Sequence, residues 1–137
     1  MKYNTAVVKR RRILALLFFA VGAANLIRAA MGVTIAPTLA TWTLSLSPYA
    51  ATAFYLAWGL AFMAATWVTL KAMQRRDSLR WALPFTAGYQ ITLWALNLSL
   101  YRSSYARSLW GRDLVLTAAL LAAVAILNNN NPNHVTD

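Results

Sequence analysis

Arg28, Arg102, Arg107 and Arg112 accompany the polar side chains Asn25, Asn97, Tyr101 and Asp113, and together these residue types could do recognisable chemistry. A guanidinium fork takes phosphate or carboxylate oxygens two at a time. Tyr101 and Asp113 are the groups that an acid or base mechanism would have to use. Thr86, Gln90, Asn97 and Tyr101 fall within about 60° of one another on a wheel advancing ~100° per residue, so they form one polar stripe. Asn25 and Arg28 are three residues apart, on neighbouring turns of one face. The candidate set for binding an anionic ligand or lipid is therefore Asn25, Arg28, Gln90, Asn97, Tyr101, Arg102, Arg112 and Asp113.

A structural reading competes with that one. Polar side chains in apolar helices also bond from helix to helix, at about 0.6 kcal/mol per contact, and need no ligand to do so. An arginine within a span needs a partner or a wet cavity, and Asp113 is the acid nearest in depth to Arg28, so an Arg28 to Asp113 tie is the simplest internal account. One aspartate does not neutralise four arginines. The remaining positive field suits anionic headgroups, an anionic ligand or acidic residues of a partner.

The elements that must position these residues follow from composition. With 60% apolar and only 12% charged residues among 137, the chain is too apolar for a soluble domain, and a lipid bilayer is its expected solvent. The sequence predicts an all-α, four-helix integral membrane bundle with spans at about 13–33, 48–70, 81–101 and 108–128, each able to cross roughly 30 Å of hydrocarbon. Residues 1–128 are read as one transmembrane domain and 129–137 as a disordered polar tail. The last span is the weakest, because it must carry Arg112 and Asp113 at its head. Arg28 falls inside the first span, with roughly 5 to 12 Å of helix between it and the interface at about 1.5 Å per residue.

Cation placement predicts the orientation. Lys2, Lys9, Arg10, Arg11 and Arg12 precede the first span, and Lys71, Arg75, Arg76 and Arg80 lie between the second and third, which puts both termini in the cytoplasm. The loop 32–47 carries no charge and falls outside, with 102–112. There, Leu39, Trp42 and Leu46 after Pro37 suggest a short interfacial helix, although 41–47 also alternates as a strand would. Lys9 to Val21 resembles a signal peptide ending at Val21-Gly22-Ala23. Apolar residues nevertheless continue through Leu26, Ile27, Met31 and Val33, which favours a retained helix in the cell's inner membrane.

The second span repeats Ala53, Ala57, Ala61 and Ala65 every four residues, a spacing that lets another backbone approach closely. Phe54, Trp58 and Phe62 run beside them as a stripe expected to fill gaps or face lipid. Ala118, Ala122 and Ala125 repeat the small-residue theme in the fourth span. Such faces suit packing within the bundle, a homo-oligomer or a protein partner.

Several chemistries lack their residues. The chain has no cysteine, which removes thiolate metal sites and a dithiol redox relay, and its one histidine, His134, lies in the polar tail. No metal or other cofactor is expected. The three acids are Asp77, Asp113 and Asp137, none at the mid-depth a proton-coupled carrier would use. Asn97-Leu98-Ser99 matches a glycosylation sequon but lies within a span. Cations that flank apolar spans do not make a nucleic-acid surface.

The stretch Tyr89-Gln90 through Trp94, followed by Tyr101-Arg102-Ser103-Ser104-Tyr105-Ala106-Arg107, resembles a group of small, uncharacterised four-span proteins of Chloroflexota-type bacteria. The resemblance covers the last two spans and implies a prokaryotic origin. Members of that group often carry an acid near the position of Asn97, which this chain lacks. The leading functional expectation is a non-enzymatic accessory or structural membrane subunit whose outer polar cluster contacts anionic lipid or a partner. The alternative is a small-molecule or lipid binding or transport protein with a pocket between the first, third and fourth helices. An enzyme using Tyr101 or Asp113 ranks third.

Overall fold

The computed structural model describes residues 5–39, 48–75, 78–100 and 110–128, and side chains within 5–34, 49–75, 78–97 and 111–128. These residues form four helices: α1 (Thr5–Leu39), α2 (Pro48–Arg75), α3 (Ala82–Leu100) and α4 (Trp110–Asn128). Thr5–Thr34, Tyr49–Arg75 and Gly111–Asn128 are long and apolar enough to cross a membrane. α3 has 19 residues, about 28 Å at ~1.5 Å per residue, but Thr86, Gln90 and Asn97 dilute its apolar character.

α1 extends beyond its predicted bounds at both ends, and α2 at its C-terminal end alone. α1 starts at Thr5, so Lys9 to Arg12 ride on the helix instead of preceding it. It also runs through Pro37 to Leu39, so Pro37 does not open a separate interfacial helix. A proline in the last turn costs one backbone donor, a smaller loss than in mid-helix. Residues 40–47, with Trp42 and Leu46, and the tail 129–137 lie outside the described residues. α2 begins at Pro48, where a missing N–H costs nothing, and continues through Lys71 to Arg75.

α1 and α2 form an antiparallel hairpin held by a very close backbone approach. Gly32 faces Thr52, Leu26 faces Gly59, and Gly22 faces Phe62 and the Gly59 carbonyl. A Cβ on Gly59 would lie 2.7 Å from Leu26 Cδ2 and 3.2 Å from the Leu26 backbone nitrogen; one on Gly22 would lie 3.2 Å from Phe62 Cβ. Glycine is thus the small residue of this seam. The alanine repeat sits obliquely to it: Ala65 is buried and Ala61 half-buried, whereas Ala53 and Ala57 are exposed. Ala118, Ala122 and Ala125 are exposed as well.

α3 packs on this hairpin through rings rather than through backbone. Phe85 lies 4.9 Å from Phe62 and 5.5 Å from Trp58 between ring centroids, and Tyr89 lies 5.0 Å and 5.2 Å from the same two. Phe18 of α1 closes the layer against Phe62, Phe85 and Trp81. Most pairs are edge-to-face, the arrangement that ring quadrupoles favour. Trp58 and Phe62 therefore fill the gap between α2 and α3, and Phe54 packs beside Trp58 on α2 itself. Leu14, Phe18, Phe62, Leu79, Ala82, Tyr89 and Val124 make a core shared by all four helices.

Candidate functional site

Asn25 is fully buried on α1, and its amide nitrogen donates to the Val21 carbonyl one turn back, at 2.9 Å. Its Oδ1 accepts from the Tyr89 hydroxyl of α3 at 3.1 Å. A turn of α1 carrying an amide in apolar surroundings must satisfy both ends of that amide, and this pair of bonds does so. The partner of Asn25 is thus Tyr89, which sequence reasoning did not place in the site. A signal was present: Tyr89 precedes Gln90 and was bound to sit on an interior edge of the same helix.

Gln90 is also buried, on the next position of α3 but toward α4. The Thr117 hydroxyl donates to Gln90 Oε1 at 3.1 Å and accepts from Trp94 Nε1 at 3.1 Å. Trp94 and Thr117 were likewise missed. One hydroxyl serves as donor and acceptor at once, which only a Ser, Thr or Tyr at that position can do. Consecutive residues 89 and 90 therefore tie α3 to α1 on one side and to α4 on the other. Thr66, Thr69 and Thr86 bond back to the carbonyls of Phe62, Ala65 and Ala82 at 2.8 to 2.9 Å and spend their hydroxyls locally.

The cationic residues do not converge on that interior. Arg28 is exposed, and its guanidinium lies over the Tyr55 ring of α2 at 5.7 Å from the centroid, a cation–π distance. Three residues from Asn25 amounts to a rotation of about 60°, enough to move Arg28 from the buried face to its rim. Asp113 takes Arg112, its sequence neighbour, at 3.4 Å, so the expected Arg28 to Asp113 tie is replaced by two separate arrangements. The 3.4 Å pair is long for a charge-assisted bond, with Arg112 well exposed. Asp113 also lies in the first turn of α4, where the helix dipole favours an anion. Asn97 is half-buried on α3. Tyr101, Arg102 and Arg107 lie outside the described residues.

A second polar site lies at the opposite end of the bundle. Arg11 of α1 is only 8% exposed, and its Nη1 donates to the Ala72 carbonyl of α2 at 3.1 Å. Ala72 belongs to the last turn of α2, whose carbonyls have no intrahelical partner, so Arg11 supplies an α2 cap from a neighbouring helix. No family model, curated protein or solved structure matches the chain.

Proposed function

We propose that this protein is a non-enzymatic, multi-pass integral membrane protein of the inner cell membrane, an accessory subunit that packs within a larger membrane assembly. The observation that carries this reading is the mutual pairing of the interior polar groups. Asn25 with Tyr89, and Gln90 with Thr117 and Trp94, use their hydrogen-bonding capacity between helices. They act as ties, which supports a structural role over a ligand pocket between α1, α3 and α4.

The outward surface supports the same reading. Only 6% of the α4 span is buried, with Leu114, Val115, Leu116 and Ile126 all exposed. Apolar surface of this extent must be covered by lipid or by a partner helix. Leu14, Phe18 and Asn25 are core residues of α1, which supports a first helix retained in the folded protein. Arg112 and the neighbouring outer arginines would then contact anionic headgroups or acidic residues of the partner.

The absence of native cysteine makes the topology directly measurable. Ser103→Cys is expected to react with a membrane-impermeant maleimide from outside intact cells, and Ser78→Cys only after lysis. The reverse pattern would overturn the orientation. Native mass spectrometry in mild detergent should show the chain with a second polypeptide. A lone protomer carrying a stoichiometric small molecule that Asn25→Leu abolishes would overturn the accessory reading in favour of binding.

A further inference from the structure

Arg11 presents an unusual situation for a buried guanidinium. Nη1 is committed to Ala72, while Nε is buried and meets no acceptor among the described residues. A buried, unpaired donor on a charged group is costly, and an acceptor at Nε would offset that cost. With Nη1 engaged, the edge that contains Nε is one of the flat forks that match two oxygens of a phosphate or carboxylate.

Its surroundings select an anion from outside the chain. Arg11 is level with the last turn of α2, and Lys9, Arg12, Lys71 and Arg75 stand exposed at this end of the hairpin, with Arg80 just before α3. Among the described residues no acid stands at that end. Lys71 lies over the Trp67 ring at 4.9 Å, so a cation and an aromatic occur together at the depth where headgroups meet acyl chains. Arg11 is also two residues from the apolar run that starts at Ile13, the position of a lipid phosphate relative to a span.

We infer that the end of the hairpin where α1 begins and α2 finishes is a binding site for one anionic phospholipid, whose phosphate accepts from the unpaired Nε of Arg11 and sits in the field of Arg12 and Arg75. The inference rests on the membrane reading above but concerns the end of the bundle opposite the outer arginine cluster. The lipid would complete the Arg11 contact set and, through Ala72, hold the end of α2.

The full-length protein, purified in mild detergent, is titrated with phosphatidylglycerol, with phosphatidylcholine of the same chains and with inorganic phosphate, and followed by native mass spectrometry. One phosphatidylglycerol should bind at least about tenfold more tightly than phosphatidylcholine, because only the former brings net charge to the fork. Arg11→Lys keeps the charge but loses the fork and should weaken that binding by about tenfold, while Arg10→Lys, the same exchange at an exposed position of α1 outside the proposed site, should change it less than about twofold. Equal binding of the two lipids, unchanged binding in Arg11→Lys, or full displacement by millimolar inorganic phosphate would each overturn the inference. Circular dichroism of Arg11→Lys controls for folding; if it is unfolded, the addition of phosphatidylglycerol to the wild type must raise its Tm, and no rise overturns the proposal. Carbonate extraction of cell membranes tests the premise separately, since a protein released by carbonate is not integral, whatever lipid it prefers.

Discussion

The Tyr89 hydroxyl reaches the fully buried Asn25 across the α1–α3 interface at 3.1 Å, and no other described residue brings a polar group of α3 to Asn25 Oδ1. The bond is therefore the specific element in an interface otherwise made of rings. Tyr89→Phe would leave Asn25 Oδ1 without that donor, at a cost of about 0.5 to 2 kcal/mol. Asn25→Leu should cost a similar amount, and the double variant should cost less than the sum. A cycle measured by denaturation in mixed micelles checks the coupling, and strict additivity would refute it.

Thr117 is the hinge of the second tie. Thr117→Val preserves shape while removing the acceptor of Trp94 and the donor of Gln90, so it should destabilise the bundle by about 1 kcal/mol, near the sum of two membrane contacts. Thr117→Ser keeps both bonds and should recover most of that loss. Thermal unfolding in detergent separates the two variants.

Two glycines should respond in opposite directions to the same added methyl. Gly59→Ala places a Cβ against Leu26 and should destabilise by about 1 to 3 kcal/mol. Gly88→Ala meets nothing within 4 Å and should be neutral or stabilising by up to about 1 kcal/mol through helix propensity. Unfolding midpoints of the two variants in one detergent make the comparison.

Arg28 and Asp113 should behave independently. Because Arg28 lies over Tyr55 and Asp113 takes Arg112, the effects of Arg28→Ala and Asp113→Ala should add within about 0.5 kcal/mol. Recovery of stability in the double variant would instead show that they pair.

Much of the architecture was legible in the sequence because span length and apolar content are strong signals. Four helices and the interior placement of Asn25 and Gln90 follow from them. Partners were harder to read, because depth along a helix is estimated by counting residues, and Tyr89 lies eight residues, about two turns, before Asn97. Arg28 illustrates a second cause. Helical periodicity put it on the face of Asn25, but a long side chain at the rim of that face turns to an aromatic neighbour. The close seam was missed for a third reason: four alanines at regular spacing outweighed isolated glycines by pattern, although only a missing Cβ admits Leu26 against Gly59. Arg11 was counted among cations that set orientation, and its burial and its bond to the Ala72 carbonyl set it apart from the exposed Arg10 and Arg12.

The hairpin and the third helix meet through interfaces of opposite mutational character. An added Cβ crowds Leu26 at Gly59 and Phe62 at Gly22, whereas the layer of Phe18, Trp58, Phe62, Phe85 and Tyr89 loses its spacing when a ring is removed. Side-chain volume can therefore drift upward only on the outer faces of α1 and α2 and downward only away from α3. Two faces of α2 are thus under opposite size limits, an upper bound toward α1 and a lower one toward α3.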